Sequence, residues 1–256
     1  MSADDRAGYD AALLRARRSA FPPGEYVGQE SFMTGTEILS LARRAAIGPG
    51  TTVLDLCCGT AGPGRLVTAE LGCTYRGLDR SAGAIEVARA RTSGLDCQFG
   101  VADLPPVPAR GVDVVLLLET MLAFEDKGPL LSEVAACLVP GGRFAFTVEE
   151  GPPLSEAERA AMPAADTVWP IRLPDLVAQL GRAGLDLRWM QDRTRSHRDV
   201  AGALVACFEA ERPAIAAGLG GAAADALLAA HRLWSSWMGS GRVRKLAIVA
   251  EKPNLS

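Results

Sequence analysis

Short apolar runs, each closed by an acid or a glycine turn and followed by a stretch of helical spacing, set the rhythm of the chain. Val53-Leu54-Asp55-Leu56 reads as a buried strand. It passes at once into Cys57-Cys58-Gly59-Thr60-Ala61-Gly62-Pro63-Gly64 and then Arg65-Leu66-Val67, the pattern of a strand turning tightly into a helix. Tyr75-Arg76-Gly77-Leu78-Asp79 is a second strand ending in an acid, and residues 97–103, ending in Asp103, are a third. The three acids recur at intervals of 24 residues, the length of a strand-helix-strand unit with short loops. Residues 112–118 are apolar nearly throughout, as a central parallel strand covered on both faces should be, and Glu119 stands at the tip. Pro140-Gly141-Gly142 is a turn into a further strand over 144–148, after which Glu149 and Glu150 leave the sheet.

The remaining pattern supplies helices and two more strands. A charged helix over residues 4–18 ends before Pro22 and Pro23. Residues 26–35 form a lid over the presumed ligand crevice, a helix follows over 37–47, and Ser81 caps a helix over 82–91. A helix starting at Glu125 leads to Leu138. Residues 151–170 read as an inserted loop and helix, 172–183 as a helix stopped by Gly184, and 185–190 as a strand. Two helical stretches, 200–211 and 222–238, precede a last strand over 243–250. The expected organisation is an N-terminal helical cap and lid over residues 1–50 and one α/β domain over 51–256, with helical insertions near 151–170 and 195–240.

Composition narrows the class. A chain of 256 residues with 48% hydrophobic and 22% charged residues suits one sizeable α/β domain with a cap. A net charge of −3 gives no general attraction to nucleic acid or to an anionic membrane, and no apolar run is long enough to span a bilayer. The N-terminus, with Asp4, Asp5 and Arg6, lacks the pattern of a secretory signal. Six cysteines are scattered without CxxC spacing, which predicts buried reduced thiols, no metal site and a cytoplasmic protein.

Three carboxylates along one rim suit a ligand rich in hydroxyls and amines and free of phosphate. S-adenosylmethionine has an ammonium, a sulfonium, two ribose hydroxyls and an adenine amine. Asp55 would serve its methionine end directly or through water, Asp79 the ribose and Asp103 the amine. A dinucleotide pyrophosphate would be repelled by Asp55, so an NAD-dependent oxidoreductase is the weaker alternative.

Over residues 26–149 the chain resembles the class I S-adenosylmethionine-dependent methyltransferases. The family's first motif, acid-x-Gly-x-Gly-x-Gly, maps onto Asp55, Cys57, Gly59 and Ala61, where Cys and Ala are small enough to keep the turn. Leu104-Pro105 after Asp103, Val112-Asp113-Val114-Val115 and Leu138-Val139-Pro140-Gly141-Gly142 follow in the family's order. The resemblance implies a Rossmann-like, seven-stranded, mostly parallel sheet with an antiparallel last strand between the fifth and sixth, helices on both faces and an N-terminal helical lid. It implies S-adenosylmethionine as cofactor, S-adenosylhomocysteine as product and a small-molecule acceptor. The implied cofactor residues are Asp55, Cys57, Cys58, Gly59, Asp79, Arg80, Asp103, Leu104 and Glu119, with Tyr26 from the lid. A protein of this fold that binds the cofactor without transferring methyl, a cyclase or scaffold, is the alternative from another class.

The phosphoethanolamine methyltransferases resemble the chain further, in the segment from Gly28 to Gly35, in the acid after the fourth strand and in the Trp-bearing helix before a basic strand. Four residues past that acid they carry a His, where this chain has Ala123. A proton acceptor must then come from elsewhere. Glu119 and His197 are the catalytic candidates, with Glu119 expected to hold the cofactor's ammonium and His197 to face the acceptor. His231, Trp234, Trp237 and Met238 are either pocket walls or core. Arg242 and Arg244, on one side of a strand, either hold an anionic acceptor or are solvated, and Tyr9 is a minor candidate. The Ala- and Arg-rich composition suggests a bacterial source and specialised metabolism.

Overall fold

The computed structural model describes residues 11–254. Tyr9 and the start of the expected first helix lie outside them. Seven strands form one sheet in the order β3-β2-β1-β4-β5-β7-β6. They are β1 (Thr52–Leu56), β2 (Thr74–Asp79), β3 (Cys97–Val101), β4 (Val112–Leu117), β5 (Leu138–Glu150), β6 (Asp186–Asp192) and β7 (Arg244–Glu251). The first five pair in parallel, and β7 runs antiparallel between β5 and β6, as the resemblance implied.

Ten helices surround the sheet among the described residues: α1 (Ala11–Ala20), α2 (Gly35–Arg44), α3 (Gly62–Leu71), α4 (Ala82–Arg91), α5 (Gly128–Cys137), α6 (Glu156–Ala161), α7 (Leu173–Arg182), α8 (Thr194–Ala210), α9 (Arg212–Leu219) and α10 (Gly221–Ser240). None is long and apolar enough to cross a membrane. Strand alternation sorts the core. Leu54 and Leu56 of β1, Val115 and Leu117 of β4, and Phe144, Phe146 and Val148 of β5 meet α5 and α7 on one face. Val53 of β1, Val114 and Leu116 of β4, and Ala145 of β5 meet α2 and α3 on the other. A separate apolar cluster joins α1 to α8, α9 and α10, so the N-terminal helix packs on the helices of the last third.

Several boundaries differ from expectation for local reasons. Thr34 and Glu37 form a reciprocal capping box, so α2 starts at Gly35 and ends at Arg44, earlier than the expected 37–47. Strand β5 continues to Glu150 because β7 pairs with it from Arg143 to Glu150; Glu149 and Glu150 therefore stay in the sheet. Strand β3 stops at Val101, which leaves Asp103 in the following loop. The last third holds three helices instead of two, with Pro213 opening α9 and Gly220 closing it.

The start of α3 is packed too tightly for side chains at Gly62 and Gly64. A Cβ on Gly62 would lie 2.6 Å from the Gly28 carbonyl carbon and 2.8 Å from the Val27 oxygen, so residues 27 and 28 cross directly over the start of α3. Gln29 holds that crossing in shape: its Oε1 accepts from Val27 N–H at 2.7 Å, and its Nε2 donates to the Glu25 and Met33 carbonyls at 3.0 and 2.7 Å. Gly64 faces the ring of Tyr75, whose hydroxyl is anchored on Asp55 and cannot swing aside. Gly64→Ala is therefore expected to cost about 1–3 kcal/mol by overpacking. Gly181→Ala, in the last turn of α7 with open space around it, should be neutral or stabilise by up to about 1 kcal/mol. Urea denaturation checks the pair, and equal effects would contradict the packing described.

Candidate active site

The carboxyl ends of β1 to β3 carry the acidic rim. Asp79 ends β2, with Oδ2 accepting from Gly59 N–H at 2.9 Å and Oδ1 from Ser81 N–H at 2.8 Å. Its carboxylate thus ties the glycine turn to the start of α4 while remaining half-exposed. Cys57 and Ala61 hold left-handed φ values of 59° and 57°, which keeps the turn tight without the family's glycines. Cys57 is half-buried, and its thiol is pushed up to about 12 by burial, reinforced by Asp79 and Asp55. Buried Cys58 is raised for the same reasons. Both stay neutral packing groups. Arg80 and Asp103 are exposed on the rim, and Leu104 packs against the core under α5. Tyr26 packs its ring on Phe21 with centroids 5.5 Å apart.

Asp55 departs from expectation. Its position shares Val53's face of β1, so the side chain points beneath α3, is 3% exposed, and accepts a short hydrogen bond from the Tyr75 hydroxyl. Burial raises it to about 7, against the Tyr75 hydrogen bond and with the help of Asp79. Direct contact with a ligand's methionine end is excluded by that burial; Asp55 supports the turn from below.

This geometry fits S-adenosylmethionine and does not fit a pyrophosphate. A phosphate group would need the start of α3, which the carbonyls of Val27 and Gly28 cover and under which Asp55 lies. The half-exposed Asp79 carboxylate keeps acceptor capacity for a ribose diol, and the open Asp103 can accept from an amine.

The other half of the crevice, beyond β4, β5 and β7, is a cavity of about 200 Å³. Its floor is a buried ion cluster. Lys245 of β7 sits directly opposite Glu149 of β5 and contacts its carboxylate, and Lys245 Nζ lies 2.8 Å from Glu119 Oε2. Phe32 and Trp234 stand 5.4 and 5.7 Å from the ammonium, in cation–π range. Burial opposes the charges of Glu119 and Lys245, but attraction within the cluster outweighs it. Glu119 is held at about 2, with Lys245 the main cause, and Lys245 is raised by Glu119 and Glu149. Glu119 itself has a left-handed φ of 57°, stabilised by its N–H donating to Thr147 Oγ1 at 2.6 Å. The turn aims its carboxylate back across the strand tips. Glu119 Oε1 and Glu149 Oε2 are buried and accept no hydrogen bond.

Glu119 therefore has a counter-ion in Lys245, which it shares with Glu149. His197 is fully buried and does not line the cavity. Its Nε2 is 3.4 Å from Glu37 Oε2 and its Nδ1 3.8 Å from Glu119 Oε1, behind the floor. A direct acceptor-side role is excluded by that position; His197 backs Glu119. Glu37 in turn accepts from Ser196 Oγ at 2.6 Å and faces Arg193 at 3.6 Å.

His231 does reach the cavity wall. Its Nδ1 is 2.8 Å from the Leu227 carbonyl, which only accepts, so Nδ1 carries the proton and Nε2 is an acceptor. Burial lowers its pKa. Trp234 lines the cavity, whereas Trp237 and Met238 belong to the core. Arg242 and Arg244 are committed elsewhere: Arg242 to Glu158 at 2.5 and 2.9 Å and to the Pro152 and Pro153 carbonyls, Arg244 to Glu150 at 2.8 Å. Lys245 and Glu149 escape the sequence reading because each stands beside another charge, Arg244 and Glu150, at the end of its apolar run. The legible signal is Lys245 next to the continuous apolar run Leu246 to Ala250, on the side of the strand opposite Arg244.

A model described as a methyltransferase domain matches residues 53–142. Methyltransferase GfsG of Streptomyces halstedii is 28% identical over 187 residues, covering 68% of this chain and 67% of that protein. Plant phosphoethanolamine N-methyltransferases are matched over only 20–21% of their length. The cyclopropane synthase MmaA2 of Mycobacterium tuberculosis superposes with a TM-score of 0.81 at 14% identity, covering 97% of this chain and 98% of that one. A Haemonchus contortus phosphoethanolamine methyltransferase, solved with phosphomonomethylethanolamine and S-adenosylhomocysteine, gives a TM-score of 0.79 at 19% identity, over 98% of this chain and 59% of that one. At these identities the two structures show the shared fold.

The raised Asp55 has a consequence for stability. A carboxyl whose folded pKa lies above its ordinary 3.8 favours the folded state at acid pH, and that contribution is lost as pH rises to about 7. Relative to Asp55→Asn, the wild type should lose about 2–3 kcal/mol between pH 5 and pH 8. Urea denaturation of both proteins at the two pH values measures this. A difference independent of pH would contradict the buried, raised carboxyl.

Proposed function

We propose that this chain, which belongs to the class I S-adenosylmethionine-dependent methyltransferases, methylates a compact small molecule through a nucleophile bearing an N–H or O–H. The observation that carries the acceptor class is the pair of carboxylates, Glu119 and Glu149, that line the cavity with a single ammonium, Lys245, between them. The floor thus carries one negative charge in excess of its counter-ion, and an acceptor's N–H or O–H would donate to it. The cavity's size supports a compact molecule, since an apolar cavity of about 150 Å³ holds a benzene.

When bound, S-adenosylmethionine supplies a methyl group on a sulfonium, already activated for displacement. The cofactor residues are proposed to be the Cys57-Cys58-Gly59 turn, Asp79 for the ribose and Asp103 for the adenine amine, with Arg80 and Leu104 flanking and Tyr26 in the covering segment. Residues up to 50 act as cap and lid: α1 joins the helices of the last third, and residues 27 and 28 cross Gly62. Strand β4 borders both halves of the sheet, so Glu119 at its tip stands where methyl and nucleophile meet. Glu119 is held at about 2 and is therefore a poor proton acceptor near neutral pH. Its role is to orient the nucleophile and stabilise the positive charge that grows on it, with Glu149 beside it. The six unpaired thiols suit the reducing interior of a cell. A bacterial specialised pathway is consistent with the Streptomyces relative.

Two experiments test this. Incubation with S-adenosylmethionine and a panel of small amines, alcohols and phenols should yield S-adenosylhomocysteine with at least one of them. A protein that binds the cofactor and turns over none of the panel would favour the non-transferring alternative. With an acceptor in hand, Glu119→Gln should lower kcat about tenfold to a hundredfold, equally at pH 6 and pH 9, with S-adenosylhomocysteine affinity kept. A loss confined to one end of that pH range would make Glu119 a proton acceptor instead. Asp79→Ala should weaken S-adenosylhomocysteine binding about tenfold to a hundredfold in calorimetric titration, and unchanged affinity in the folded variant would refute the ribose assignment.

A further inference from the structure

The end of the cavity opposite the carboxylate floor is built by α1. Arg17 lies on the half of α1 that faces the cap, beside the buried Leu13, Ala16 and Ala20. Its side chain is 16% exposed, against 59% for Arg15, which pairs with Glu211 at 3.2 Å. Among the described residues Arg17 has one ion-pair partner, half-exposed Glu30 at 3.7 Å and beyond hydrogen-bond range, and its buried Nε has no hydrogen-bond partner. A guanidinium keeps its charge at any pH a protein survives, so this is a permanent, largely desolvated cation with unused donors. Gln29 and Ser31, which also line the cavity, are uncharged, and His231 is neutral on the argument above, so none of them offers a counter-charge.

Phe32 separates the two ends. Its ring is 5.8 Å from that of His231 on one side and 5.4 Å from Lys245 Nζ on the other. The cavity is therefore polar at both tips and aromatic between them, with opposite charge balance: two carboxylates share one ammonium at the floor, and at the α1 end a largely buried guanidinium has only the half-exposed Glu30 near it among the described residues.

We infer that Arg17 is an acceptor-recognition residue, and that the methyl acceptor carries an anionic oxygen group, carboxylate or phosphate, at the end away from its nucleophile. This rests on the cavity being the acceptor site. An anion at Arg17 would take bidentate N–H donation from the guanidinium, with Glu30 displaced toward solvent. It would also orient the molecule, since reversal would set the anion against Glu119 and Glu149.

Calorimetric titration of the protein saturated with S-adenosylhomocysteine tests the inference with three matched probes: phenol, 4-hydroxybenzoate and 4-hydroxyphenyl phosphate. At least one anionic probe should bind about tenfold or more tighter than phenol, and which one does so distinguishes carboxylate from phosphate. In Arg17→Met that advantage should vanish with phenol binding retained, and Arg17→Lys should restore part of it. S-adenosylhomocysteine titration of each variant reports that the cofactor half is folded. Equal binding of charged and neutral probes by the wild type, or a preference that survives Arg17→Met, overturns the role of Arg17 and leaves the acceptor cavity standing. Binding of none of the three overturns both.

Discussion

An ammonium buried between two carboxylates holds the functional end of this molecule together. Lys245, Glu149 and Glu119 come from β7, β5 and the tip of β4, and each is almost wholly removed from water. The two carboxylates are tolerated because of Lys245, and removing it would leave both uncompensated at a cost of about 3–5 kcal/mol. The cluster also carries one more negative than positive charge and two oxygens without donors. An arrangement that is paired yet keeps an excess charge is unfavourable for stability alone, and it suits the site proposed for a polar nucleophile.

The sheet topology places this cluster against the cofactor crevice. Strands β3, β2 and β1 lie to one side of β4 and β5 and β7 to the other, so the acidic rim and the ion cluster share a border at Glu119. The antiparallel β7 is what makes the second half possible: it brings a lysine from near the end of the chain opposite Glu149. Behind the cluster, His197 and Glu37 connect α8 and α2 to Glu119, and Glu37 is also the third residue of the capping box that starts α2. The covering segment and the acceptor floor are thereby linked through buried polar groups.

Much of this was legible in the sequence, for identifiable reasons. Strands β1, β2 and β4 announce themselves because buried parallel strands are short apolar runs, and the tight turn after β1 needs small residues. The Asp79 contact with Gly59 follows from one acid ending a strand beside such a turn. Asp55 misled because an acid in a strand looks alike whether it faces a crevice or the underside of a helix; only the pairing with Tyr75 across β1 and β2 decides. His197 misled because a histidine near an active site carries no sequence mark of depth. Lys245 and Arg17 were missed for the opposite reason, since long cations are read as solvated unless the face they occupy is known.

The central claim is that the cofactor lies along β1 to β3 and meets the acceptor at Glu119. A crystal structure with S-adenosylhomocysteine bound tests it most directly. The account predicts the ribose on the Asp79 carboxylate, the thioether sulfur toward the tip of β4, and the cavity between Arg17 and Lys245 left free for a second molecule. A cofactor whose adenine or methionine end fills that cavity, in contact with Lys245 or Arg17, would contradict it.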